Sequence, residues 1–96
     1  MLKINLRPAA MDEVEEAWLW YEQQRPGLGD EFRACVEVAM TAAARRPLSY
    51  PKVEGRVRRV LVRRFPYSIL YITETDRIEI LAVFHGSREP GAWRGR

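Results

Sequence analysis

Arg56-Val57-Arg58-Arg59-Val60-Leu61-Val62-Arg63-Arg64-Phe65-Pro66-Tyr67-Ser68-Ile69-Leu70-Tyr71-Ile72-Thr73, continued by Arg77-Ile78-Glu79-Ile80-Leu81-Ala82-Val83-Phe84-His85, decides the fold of this chain. The stretch is rich in β-branched and aromatic residues and is interrupted only at Phe65-Pro66 and at Glu74-Thr75-Asp76. Three strands are expected, over 56–64, 67–73 and 77–85. Connections this short make them an antiparallel meander. Val60-Leu61-Val62, Ile69 to Ile72 and Ile80 to Phe84 are apolar at successive positions, so both faces of the sheet need cover.

Upstream, Leu2, Ile4 and Leu6 alternate with polar residues as a short strand, and Pro8 stands where a helix can begin. Ala10, Val14, Ala17, Trp18 and Tyr21 then recur at helical spacing within 9–24, with Asp12, Glu13, Glu15 and Glu16 early enough to favour the helix dipole. Pro26-Gly27 ends this helix. A second runs from about Gly29 to before Pro47, carrying Leu28, Phe32, Cys35 or Val36, Ala39 and Ala43 on one stripe. The segment 47–55, with Pro47, Pro51 and Gly55, reads as an ordered loop. The expected fold is α+β in one domain spanning 1–96. A short N-terminal strand and an antiparallel two-helix hairpin pack on a mainly antiparallel sheet of about four strands. A hairpin covers one face only, so the other is expected under the C-terminal tail with Trp93, under a partner chain, or under both.

Cys35 is the only cysteine of 96 residues, which excludes an internal disulfide and a cysteine-rich metal site and suits a reducing compartment. The first residues interleave charge with apolar groups, and no apolar run approaches the roughly 20 residues of a spanning helix. The cytoplasm is therefore expected, without a membrane partner. The net charge of +3 hides an asymmetry: up to Ala44 four basic residues face eight acidic ones, and from Arg45 onward twelve face five. The halves carry −4 and +7. All but one of the later positive charges are Arg, whose planar fork grips phosphate or carboxylate, so an anionic partner is expected at this end. A solvated basic surface with no ligand is the plain alternative.

No Gly-rich phosphate loop, HExxH or cysteine pair occurs, so nucleotide-triphosphate and zinc chemistry are not expected, nor is any cofactor or metal. Cys35 on the apolar stripe reads as a core residue. Trp18 and Tyr21 also read as core, whereas Trp20 lies off the stripe beside Glu16 and Gln24, as a lone surface aromatic or a partner anchor. His85-Gly86-Ser87-Arg88-Glu89-Pro90 follows the last strand, near Arg56, Arg58, Arg59, Arg63 and Arg64. His85 suits proton transfer and Arg88 suits stabilising a phosphorane, as RNA cleavage through its own 2′-hydroxyl requires. With one histidine in the chain, a nuclease would need Glu54, Tyr71, Lys52 or an Arg as its second group. The alternative for His85 is a strand-end histidine bonded to backbone.

Trp20-Tyr21-Glu22, Gly27-Leu28-Gly29-Asp30-Glu31-Phe32, Pro47-Leu48-Ser49-Tyr50-Pro51, Arg64-Phe65-Pro66-Tyr67 and His85 to Pro90 follow one another in the order seen in toxins of the RelE/ParE superfamily. The chain resembles that superfamily over nearly its whole length, closest to the ParE or plasmid stabilisation branch. The resemblance implies the toxin half of a type II toxin–antitoxin module, bound and silenced by a cognate antitoxin with an acidic or amphipathic segment. RelE-like members cut mRNA in the ribosomal A site, whereas ParE-like members poison DNA gyrase. Arg59 and Arg88 match basic positions of the nuclease pattern, but Leu61 and Ser68 stand where it has further cations. The resemblance therefore favours gyrase. Target contacts are expected from Arg56, Arg58, Arg59, Arg63, Arg64, Arg88 and Trp93, and antitoxin contacts from Trp20, Phe65 and Tyr67. An mRNA endoribonuclease using His85, Arg88, Glu54 and Arg59 is the alternative, and a non-toxic binding module is a third reading.

Overall fold

The computed structural model of the chain describes residues 1–86 together with Trp93 and Arg94. Its elements follow in the order β1 (Lys3–Leu6), α1 (Pro8–Gln24), α2 (Leu28–Arg45), β2 (Lys52–Glu54), β3 (Val57–Leu61), β4 (Tyr67–Thr73) and β5 (Arg77–His85). The α+β plan and the β3–β4–β5 meander are as expected, but the sheet has five strands rather than about four, in the order β1-β5-β4-β3-β2. The added strand is Lys52–Glu54, inside the segment read as loop. Its side chains are exposed, and main-chain pairing with β3 makes it a strand. β1 pairs in parallel with β5, because the chain returns through two helices and the meander before meeting it.

Pro8 opens α1 one residue earlier than the spacing suggested, so the first turn holds no acidic residue. Asp12, Glu13, Glu15 and Glu16 lie beyond the turn where a helix dipole acts appreciably. Two of them serve otherwise: Glu13 accepts a hydrogen bond from the Val83 amide at 3.0 Å and Glu15 from Arg33 at 2.8 Å. The contacts Glu15–Arg33, Trp18–Asp30 and Glu22–Gly29 advance in opposite directions along the two helices, which makes the hairpin antiparallel. Glu22 closes it. Its carboxylate accepts hydrogen bonds from the amides of Gly29 (2.8 Å), Gly27 (3.2 Å) and Asp30 (3.3 Å), capping the N-terminus of α2 from the end of α1. A side chain at Gly29 has no room, since a Cβ would stand 2.5 Å from the Trp18 carbonyl oxygen.

The hairpin lies on one face of the sheet and buries Phe32, Val36, Ala43, Ile69, Tyr71, Ile78 and Ile80 against it. Each fully buried branched or aromatic side chain contributes about 1.5–3 kcal/mol relative to exposure. Tyr71 carries its hydroxyl into this layer and donates it to the Pro47 carbonyl at 2.8 Å, which anchors the loop after α2. Trp18 is not core as expected: its indole N–H bonds Asp30 at 2.9 Å and its ring lies under Arg33 at 5.1 Å. Tyr21 does join the aromatic layer, against Phe32 and Phe65.

The opposite face carries Leu70, Ile72, Leu81 and Ala82, all buried although outside the helix-side cluster. The chain itself therefore buries most of this face, and its burial alone does not call for a partner. The turn of Trp93 and Arg94 is tied to β2 by an Arg94–Glu54 ion pair of 2.8 Å. Among the described residues, no helix is long and apolar enough to cross a membrane.

Candidate functional site

The expected basic surface divides once its partners are known. Arg58 points to the helix side, where it donates to the carbonyls of Tyr50 (2.7 Å) and Leu48 (3.3 Å) and holds the loop before β2. Arg56 pairs with Glu74 at 3.0 Å. Arg63 and Arg64 are not on the strand expected over 56–64: β3 ends at Leu61, and Arg64 adopts φ 71° in the turn to Tyr67. From that turn Arg64 reaches Glu31 at 2.8 Å, and its hydrogen bond, followed by that of Arg25, holds the Glu31 carboxyl below the ordinary carboxylate range. Arg59 and Arg63 are exposed and make no ion pair among the described residues. Two of the five strand-region arginines thus stay open to an anionic partner. Trp93 is half-buried with Arg94 over its ring, and Arg88 lies outside the described residues.

Among the described residues, the nuclease candidates His85, Glu54 and Arg59 do not come together. Arg59 pairs with Leu70, and Leu61 with Ser68, on the face away from the helices. His85 pairs with Tyr67 on the helix side, with the two rings edge to face at 5.4 Å. Glu54 pairs with Val57 at the far end of β3, about 16 Å along the strands from the level of Tyr67 at ~3.3 Å per residue. It is also engaged by Arg94. Leu61 and Ser68, the two positions at which the resemblance led further cations to be expected of a nuclease, are direct cross-strand neighbours beside Arg59. The corner of that face around Arg59 thus presents an exposed arginine, an exposed leucine and a buried serine.

What the fold does assemble is a cleft between α1 and the adjoining ends of β4 and β5, of about 480 Å³. Trp20 and Tyr67, expected as partner contacts, and His85, expected as a catalytic candidate, line it together with Tyr21, Glu13 and Glu16. Trp20 is 56% exposed and meets the edge of Tyr21 at 5.1 Å, whereas Phe65 is buried against Tyr21 and Phe32 and offers little to a partner. Burial raises the Tyr21 hydroxyl above its ordinary value, so it is a neutral wall at physiological pH. Glu13 and Glu16 went unremarked as site residues, although their spacing of three, four and seven with Trp20 puts all three on one helix face.

A family model described as ParE toxin of type II toxin-antitoxin system, parDE, matches residues 4–90. Toxin ParE2 of Mycobacterium tuberculosis is 25% identical over 91 residues, covering 94% of this chain and 87% of that protein. Among solved structures, one titled as the chromosomal ParDE TA system from P. aeruginosa superposes with a TM-score of 0.75 at 16% identity, over 88% of this chain and 96% of the other. A copper-bound mutant toxin from Helicobacter pylori superposes with a TM-score of 0.59 at 17% identity, over 91% and 97% of the two chains. Both superpositions are likenesses of fold.

Proposed function

The chain belongs to the ParE toxin family of type II toxin–antitoxin systems, and from that premise we propose that it inhibits DNA gyrase by binding, without hydrolysis, and is neutralised by a cognate antitoxin. The observation that carries the non-hydrolytic part is the separation of His85 from Arg59 by the thickness of the sheet, with Leu61 and Ser68 beside Arg59. Cleavage of RNA needs a proton-transfer group and cations converging on one phosphate. Binding needs only a complementary surface, and Arg59 and Arg63 supply unengaged charge for one. The P. aeruginosa structure is titled as a ParDE system, and a second protein in such a module fits a chain with an exposed aromatic cleft on its acidic helix.

Expression of the chain alone in bacteria separates the readings. Gyrase inhibition predicts filamentation, induction of the DNA-damage response and loss of supercoiling, all relieved by the antitoxin. Rapid arrest of translation with cleaved mRNA would replace this reading by an endoribonuclease, and unimpeded growth by a non-toxic binding module.

A further inference from the structure

Glu15, Trp18 and Arg33 show what this hairpin does with a cation. The Arg33 guanidinium is ion-paired with Glu15 at 2.8 Å and lies over the Trp18 ring at 5.1 Å, so a carboxylate and an indole on α1 share one arginine from α2. Glu16 and Trp20 repeat that pair on the neighbouring face of α1, at the mouth of the cleft. There no arginine or lysine meets them among the described residues. Glu13, fixed by the Val83 amide at 3.0 Å, adds a second carboxylate to the same wall. Behind them stand Tyr21, Tyr67 and His85, with ring centroids 6.2 Å and 5.4 Å apart in succession. A carboxylate repels phosphate and other anions, while π faces and the Glu16 carboxylate together attract a flat cation with an apolar stem.

We propose that this cleft binds the basic side chain of a partner polypeptide, arginine above all, with its guanidinium between the Glu16 carboxylate and the Trp20 ring and its stem against the aromatic wall. Assigning that polypeptide to the antitoxin rests on the function proposed above; the preference for a cation does not. An antitoxin segment of acidic character would meet the basic strands with its carboxylates and the helix side of the toxin with one arginine.

The probe is N-acetyl-arginine amide, titrated into the full chain with the indole N–H signals followed by NMR, so that Trp20 is read apart from Trp18 and Trp93. The expected result is a saturable shift confined to Trp20, with a dissociation constant on the order of tens of millimolar and weakened by salt. Glu16→Gln, exposed and isosteric, should weaken it about fivefold while leaving circular dichroism unchanged. An equal response to N-acetyl-norleucine amide, or an undiminished one in Glu16→Gln, would overturn the proposal. Neither antitoxin nor gyrase takes part, so failure here leaves the proposed function standing, and failure of that function leaves this result intact.

Discussion

His85 and Arg59 stand on opposite faces of one sheet, His85 paired with Tyr67 under α1 and Arg59 paired with Leu70 on the face without helices. Their separation leaves each to a different surface: Arg59 to the basic face, His85 to the aromatic cleft. The consequences can be tested residue by residue.

Arg58 and Arg59 are neighbours with opposite duties. Arg58→Ala should lower stability by about 1.5–3 kcal/mol, measured by urea denaturation, because the Tyr50 and Leu48 carbonyls lose a charged donor. Arg59→Ala should change stability by under about 0.5 kcal/mol yet weaken toxicity, and Arg59→Glu more so, with a salt dependence that marks a surface charge. Equal loss of stability in both variants would refute the division.

The cap made by Glu22 makes a second prediction. Glu22→Ala should cost about 1–2 kcal/mol, since three amides at the start of α2 lose their acceptor. Gly29→Ala should cost more, because its Cβ would meet the backbone carbonyl of Trp18, which cannot move aside, as well as the Glu22 side chain. Helix content and denaturation midpoints check both.

Glu79 is 6% exposed on β5 and is held below the ordinary carboxylate range by hydrogen bonds from Arg77, then Asn5, then Arg7. A carboxyl with a lowered folded-state value binds fewer protons folded than unfolded, so its contribution is present above about pH 4.5 and lost as pH falls. Melting temperature should therefore decline on acidification. Glu79→Gln should be less stable by about 1–3 kcal/mol at pH 7 and decline less steeply.

Tyr71 gives the alkaline counterpart. Burial pushes its hydroxyl up to about 12, so the folded chain keeps a proton that the unfolded chain gives up near pH 10. Stability should fall as pH rises through that window. Tyr71→Phe should lose about 1 kcal/mol at neutral pH, from the bond to Pro47, and show a shallower alkaline decline.

Much of the fold was legible because it is written in local pattern. Pro26-Gly27 marks the hairpin turn, and the apolar runs of β4 and β5 announce strands buried on both faces. Lys52–Glu54 was not legible, since three exposed residues without an apolar pattern owe their strand to pairing alone. Nor was the left-handed turn at Arg64, a conformation arginine rarely adopts. It ends β3 early and turns an expected strand cation into a partner of Glu31. In the site, Trp20 beside Glu16 followed from helical spacing, but the cleft also needs Tyr67 and His85 from strands more than forty residues away in sequence. The arginine-rich run looked uniform until side-chain geometry assigned Arg58 to carbonyls and Arg56 to Glu74.

The decisive measurement is supercoiling of relaxed plasmid by purified gyrase in the presence of the purified chain. Dose-dependent inhibition that added antitoxin reverses is expected, with mRNA on programmed ribosomes left intact. Unimpaired supercoiling together with cleaved mRNA would contradict it.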